Sequence, residues 1–219
     1  MEGWLKHMKG PLGRKWCEFI KGQKHQEDFI AFSYLRSCRN ILDVACGQGR
    51  FIEQDRSRIS GIDSSSETVR LCLEKGYKVI QGDARKMPFE DEGFFGVHCA
   101  HLLEHFLPLD AHKLLSEMDR VLKPQGILII RSPLLHSGFY DDFTHIKPYN
   151  PEAIMHYLVC GGQHTLERIS SRYELLAVKW RYEPMKLPGV RLNDLSRGLN
   201  RFGFPWLKKN GYMLVLRKG

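Results

Sequence analysis

The stretch Ile41–Gly49, ILDVACGQG, decides the fold, together with Gly61–Ser66, GIDSSS. Ile41, Leu42, Val44 and Ala45 form an apolar run too short for a helix, so it reads as a buried parallel strand. Cys46-Gly47-Gln48-Gly49 breaks the run, and its two glycines let the backbone turn tightly and leave room for a ligand. A helix is expected to begin near Arg50 or Phe51, which puts loop and ligand at the carboxyl end of a strand in an open α/β sheet. Ile59–Ile62 reads as the second strand, ending in Asp63. A carboxylate at that place suits ribose hydroxyls, because it can accept two hydrogen bonds.

This geometry serves several adenosine cofactors. A dinucleotide fingerprint G-x-G-x-x-G would need glycine at position 52, where the chain has Ile52. Asp43, inside the strand, would repel a pyrophosphate but suits a loop receiving a cationic ligand without phosphate. From Ile41 to about Pro133 the sequence resembles the class I S-adenosyl-L-methionine (SAM)-dependent methyltransferases, specifically the methyltransferase type 11 group related to ubiquinone and menaquinone methyltransferases. The resemblance implies a Rossmann-like, seven-stranded, mostly parallel α/β sheet with helices on both faces and a C-terminal antiparallel hairpin. It also implies SAM as the cofactor. The cofactor set is then Asp43, Ala45, Cys46, Gly47, Gly49, Asp63, Ser64, Asp83, Ala84, Ala100 and His101. Within it, the family's pattern gives Asp83 the adenine amino group and the next backbone amide a ring nitrogen. Taken alone, Asp83 reads as a turn aspartate capping its own backbone; in register with Gly47 and Asp63 the adenine role leads.

The remaining elements follow in order. Ser64–Ser66 and Glu67 offer an N-cap and an early acid for a helix that Gly76 ends. Tyr77–Gln81 and Phe94–Cys99 read as strands three and four. Leu107–Leu122 is an amphipathic helix with Pro108 in its first turn, closed by Pro124 and Gly126, and Ile127–Ile130 is the fifth strand. Asn150-Pro151 starts a helix that runs to Gly161, and Arg172–Tyr182 and Gly211–Arg217 are the closing strands. Residues 1–40 are read as a helical lid or packing segment and 41–219 as the methyltransferase domain. Within that domain, 183–210 is a basic amphipathic insertion containing Arg191, Arg197, Arg201, Lys208 and Lys209. That segment fits either a cover over the site's mouth or peripheral contact with an anionic membrane.

The chain has 219 residues, enough for one α/β domain with additions, and a net charge of +8 that favours anionic partners. It shows no apolar run of about 18 residues and no signal-peptide pattern, so a soluble, cytoplasmic protein is expected. The six cysteines, at 17, 38, 46, 72, 99 and 160, form no C-x-x-C and read as free thiols. His98, His101 and His105 with Glu104 raise the question of a metal, and none is expected. Residues 98 and 101 straddle a strand-to-helix change, and H-E-x-x-H is missing.

Ser132–Pro148, SPLLHSGFYDDFTHIKP, is a long polar-aromatic loop after a sheet strand, a usual place for function. His136, Tyr140, Asp141, Asp142 and His145 are candidates for an acceptor pocket, with His145 as general base and Asp142 as its orienting partner. His145 as a simple loop pin is the competing reading. Ala100-His101-Leu102-Leu103 stands where an N-P-P-[YF]-type motif would mark amino methylation, which leaves oxygen or carbon acceptors. A small-molecule, sugar or lipid-linked acceptor is therefore expected, with nucleic acid behind. The alternatives are a non-catalytic SAM-binding or partner-binding protein and an NAD-dependent oxidoreductase.

Overall fold

The computed structural model describes residues 26–160, 165–170, 172–184 and 207–219. Helix α1 (26–35) precedes β1 (Ile41–Val44), β2 (Ile59–Asp63), α2 (Ser66–Glu74), β3 (Val79–Gln81) and β4 (Phe94–Ala100). Then come α3 (Pro108–Val121), β5 (Leu122–Pro133), α4 (Pro151–Leu158), β6 (Tyr173–Pro184) and β7 (Leu207–Lys218). The seven strands lie in the order β3-β2-β1-β4-β5-β7-β6. β1 through β5 pair in parallel, and β7 runs antiparallel to both β5 and β6. The chain builds outward from β1 to β3 and then returns to β4. The crevice between the carboxyl ends of β1 and β4 is therefore the sheet's topological switch point, where open α/β sheets bind ligands.

Alternation along the strands makes two cores. Leu42 and Val44 face one way with Val97, Leu128 and Leu214, while Ile41 faces the other with Ile59, Ile129 and Val215. α3 and α4 cover the first face through Leu114, Leu115, Met118, Ile154 and Leu158. α1 and α2 cover the second through Ala31, Leu35, Val69 and Cys72. Each fully buried Leu or Ile contributes about 1.5–3 kcal/mol relative to exposure. Ser65 caps α2, its side chain accepting from the Thr68 amide, and Gly76 ends the helix at φ 76°.

Some boundaries differ from the sequence reading. The helix expected from Arg50 is only a 3-10 turn, Ile52–Gln54. Asp55 explains this: Oδ1 accepts from the Ser57 amide, the Ser57 hydroxyl and the Arg58 amide, and Oδ2 from Arg58 Nε. That side-chain turn competes with a helix and feeds the chain straight into β2. α4 stops at Leu158 rather than Gly161, and the last two strands run longer than expected, to Pro184 and from Leu207. The N-terminal aromatic segment 1–20 and most of the basic insertion, with Arg191, Arg197 and Arg201, lie outside the described residues.

Buried ions fix α1 to the sheet. Asp28 accepts from Arg50 Nε at 2.5 Å and from Arg131 Nη1 at 2.6 Å, and Arg131 also donates to Glu27. Burial alone would push the Asp28 carboxyl up, but the two guanidiniums hold it below its ordinary value. Arg50 follows the glycine loop and Arg131 lies on β5, so one carboxylate ties α1 to the loop after β1 and to β5, beside the switch-point crevice.

Candidate active site

The loop after β1 has three left-handed residues: Ala45 at φ 56°, Gly47 at 51° and Gly49 at 78°. The two glycines serve different ends. A Cβ on Gly47 would meet no atom within 4 Å, whereas one on Gly49 would sit 2.5 Å from the Tyr77 ring. Gly47 thus faces open space, and Gly49 lets the loop pack onto the core. Asp63, at the end of β2, holds the loop: Oδ2 accepts from the Gly47 amide at 2.9 Å and Oδ1 from the Ser65 amide at 3.0 Å. One side chain therefore joins the glycine turn to the start of α2, with further lone pairs left on its oxygens.

A cavity of about 170 Å³ opens beside this loop, lined by Ala45, Asp63, Ser64, Asp83, Ala84 and Phe106 among others. Five of the expected cofactor residues thus border one space. Asp43, Cys46, Gly47 and Gly49 are not in its lining: Asp43 lies within β1 at 3% exposed, and Cys46, 8% exposed, packs into the core. Asp43 Oδ1 meets His98 Nδ1 at 2.7 Å, and burial pushes its carboxyl up. His98 stacks on Phe51 at 3.8 Å between ring centroids. This buried pair supports the loop from below.

Asp83 is already engaged. Its carboxylate takes a fork from Arg85, with Nη2 at 2.7 Å and Nε at 3.0 Å, and those bonds draw its pKa down. Arg85 also reaches Asp110 at 3.1 Å and lies over the Phe106 ring. A ligand amine approaching Asp83 therefore shares it with Arg85, a partner the sequence reading missed. An arginine two residues after an acid at a strand end was the available signal. The acids lining the cavity suit the adenosine part of SAM. Carboxylates at two strand ends suit hydroxyl and amine donors, while paired acids would repel a pyrophosphate. Position 52, where a dinucleotide loop needs glycine, holds an isoleucine with no exposed surface.

Across the residues that follow β4 lies a second cavity of about 420 Å³, between α1 and the β5–β7–β6 end of the sheet. Tyr34, His101, Arg131, Trp180, Arg181 and Tyr212 are among its lining. His101 turns there at φ 57°, its amide donating to the Arg131 carbonyl at 2.9 Å. Its Nδ1 lies 3.2 Å from Glu104 Oε1, and burial pulls the imidazole below its ordinary pKa. Ala100 precedes it as the last residue of β4.

Glu104 has no exposed surface and anchors the loop after β5. Its Oε2 accepts from the Ser132 hydroxyl, and its carbonyl accepts from the Ile146 and Lys147 amides. This brings His145 beside His105, with ring centroids 4.9 Å apart. Asp142 does not orient His145 through a hydrogen bond. Its Oδ2 stands 4.0 Å from Nε2, and its Oδ1 instead accepts from the Thr144 amide and hydroxyl. The Phe139 carbonyl orients the ring, 2.7 Å from Nδ1. Of the other pocket candidates, Tyr140 is 61% exposed and His136 Nδ1 accepts from the Gly138 amide.

Residues 42–130 match the family model of the methyltransferase domain. Over those residues the chain carries a methyltransferase domain of the class I SAM-dependent kind. S-adenosyl-L-methionine is the cofactor this domain implies. The domain is 32% identical over 120 residues to a probable pectin methyltransferase of Arabidopsis thaliana, covering 51% of this chain and 17% of that protein. It is 31% identical over 105 residues to the phthiotriol/phenolphthiotriol dimycocerosates methyltransferase 1 of Mycobacterium ulcerans, covering 42% and 37% respectively. It is 30% identical over 92 residues to a tRNA (carboxymethyluridine(34)-5-O)-methyltransferase of Arabidopsis thaliana, covering 41% and 23%. The chain thus spans well under half the length of these relatives. A SAM-dependent methyltransferase structure from Archaeoglobus fulgidus shares the fold, with a TM-score of 0.64, 22% identity, and coverage of 90% of this chain and 94% of that one. Among the described residues, no helix of the methyltransferase domain or of α1 is long and apolar enough to cross a membrane.

Proposed function

We propose that this chain transfers the methyl group of SAM to an oxygen or carbon nucleophile of a small-molecule, sugar or lipid-linked acceptor. The observation that carries the reading is the placement of two cavities on either side of one short segment. Leu102 and Phe106 border the smaller, acidic cavity, and His101 borders the larger, aromatic and basic one. Asp63, Asp83 and the amide after Asp83 would hold the adenosine part, with Gly47 leaving its space and Ala100 and His101 at the methionine end. SAM supplies an electrophilic methyl on a sulfonium, so the protein's main tasks are alignment and exclusion of water.

An acceptor in the larger cavity would lie against Tyr34, Trp180 and Tyr212, whose apolar faces bury it while Arg181 lines the same space. A hydroxyl or acidic carbon acceptor must also lose a proton. His145, on the loop after β5, is the proposed proton acceptor and lines neither cavity, so the acceptor's reacting group would have to extend beyond the larger cavity to meet it. Its Nδ1 faces a carbonyl, which can only accept, so in the neutral ring Nδ1 bears hydrogen and Nε2 carries the lone pair. Asp142, 4.0 Å from that nitrogen, would stabilise the imidazolium electrostatically.

The relatives' printed acceptors are a pectin, a dimycocerosate and a tRNA uridine, so their names do not choose among classes. Incubation with methyl-labelled SAM and fractionated small molecules, glycans, lipids and RNA tests the proposal. Label should enter one of the first three fractions at oxygen or carbon, and His145→Ala should slow it while SAM binding stays intact. Label confined to RNA, or found on nitrogen, would overturn the acceptor class.

A further inference from the structure

We infer that Glu104, His105 and His145 form a binding site for a divalent transition-metal ion. The inference rests on these three side chains and not on the proposed methyl transfer. His105 follows Glu104 directly in the turn after β4, and His145 arrives from the loop after β5, so the sequence alone does not bring them together. In the structure, one ligand-capable atom from each lies within 4.8 Å of the others. Zinc with bonds of about 2.0–2.1 Å spaces its ligands roughly 3.4 Å apart, so closing the site takes side-chain movements of about an ångström.

The imidazoles are set up as ligands. His105 Nδ1 lies 3.1 Å from the Thr144 carbonyl and His145 Nδ1 lies 2.7 Å from the Phe139 carbonyl. A carbonyl cannot donate, so both Nδ1 atoms carry hydrogen and both Nε2 atoms present lone pairs. Metal-bound histidines characteristically anchor the second nitrogen in this way, which fixes the tautomer and the ring's orientation. The carboxylate is likewise fixed: Glu104 has no exposed surface, and the Ser132 hydroxyl and His101 ring hold its two oxygens. Asp142, 4.0 Å from His145 Nε2, adds negative charge at the rim.

Two imidazoles and one carboxylate select borderline ions such as zinc over calcium or magnesium, which take oxygen ligands. Three protein ligands leave at least one coordination position for water or another oxygen ligand. A bound ion occupies the His145 lone pair proposed above as proton acceptor, so the two roles belong to different states of the protein.

The full-length chain, freed of metal with a chelator, is titrated with zinc ions by calorimetry, without SAM or acceptor. One equivalent should bind, and His105→Ala and His145→Ala should each weaken binding by about 100-fold, while His112→Ala, on α3, leaves it unchanged. Long-range imidazole NMR spectra of the unaltered protein provide a readout that no variant's folding can confuse. Zinc should perturb the Nε2 signals of His105 and His145 first. The inference is overturned if no saturable binding occurs, if other histidines respond instead, or if folded variants bind as the parent does. Failure of methyl transfer would leave these results untouched.

Discussion

Replacing Gly47 and Gly49 by alanine, one at a time, should separate the ligand's space from the fold's own packing. Both residues have positive φ, 51° and 78°, so each alanine meets left-handed strain of about 1–2 kcal/mol. At Gly47 little else is lost, because the new methyl meets nothing within 4 Å. At Gly49 the methyl would stand 2.5 Å from two Tyr77 ring carbons, and overpacking adds about 1–3 kcal/mol. Tyr77 cannot yield freely, since its hydroxyl donates to Glu53 at 2.7 Å and it is 3% exposed. For a domain of this size, 1 kcal/mol moves the melting temperature by about 2–4 °C. Gly49→Ala should therefore melt about 10 °C lower, and Gly47→Ala about 5 °C lower. SAM affinity should behave in the opposite order. Gly47→Ala places its methyl in the space proposed for the ligand and should lose at least about tenfold, or 1.4 kcal/mol. Gly49→Ala, measured well below its melting point, should bind nearly as the parent does. Calorimetric titration beside thermal melts reads both effects. Undiminished affinity in a folded Gly47→Ala would show that the ligand does not lie over this residue, and an unshifted melt for Gly49→Ala would remove the packing role.

Asp63→Ala removes the acceptor of the Gly47 and Ser65 amides as well as the proposed ribose contact, and each hydrogen bond to a charged group contributes about 1.5–3 kcal/mol. SAM affinity should fall by more than about tenfold with the fold retained, and unchanged affinity in a folded variant would take Asp63 out of the site. Asp28→Asn breaks a buried ion cluster, and urea unfolding at neutral pH should show a loss of about 3–5 kcal/mol. Because the fold depresses the Asp28 carboxyl, its contribution is present above the unfolded pKa of about 3.9 and is lost as pH falls through the folded value. The gap between parent and variant should thus narrow on acidification below about pH 4, and a gap that widens would refute the assignment.

The parallel core of the fold was readable because its signals are local. β1 and β2 are short apolar runs that end in glycine and aspartate, and α3 has a clean apolar face between prolines. The meeting of Ala45, Asp63, Ser64, Asp83 and Ala84 around one cavity was readable for the same reason: they sit at the ends of consecutive strands, where register follows from the pattern. Long-range partners were not. Nothing near Asp28 in the sequence announces Arg131, on β5, and the resulting cluster fixes α1 over the crevice. Nor does His105 announce His145; their meeting depends on amides of the loop bonding to the Glu104 carbonyl. Local geometry also misled in two places. Asp55 turned an expected helix into one 3-10 turn, and Asp142, three residues before His145, accepts through Oδ1 from Thr144 rather than from His145. Gly49 shows a subtler limit, since a glycine in a ligand loop can be there for an aromatic ring behind it.

Equilibrium dialysis of the full chain with methyl-labelled SAM, alone and against competitors, tests the central claim most directly. One saturable site should appear, displaced by S-adenosylhomocysteine, indifferent to NAD and NADP, and weakened by Asp63→Ala. Displacement by NAD, or no saturable binding by a folded protein, would contradict a SAM-dependent methyltransferase.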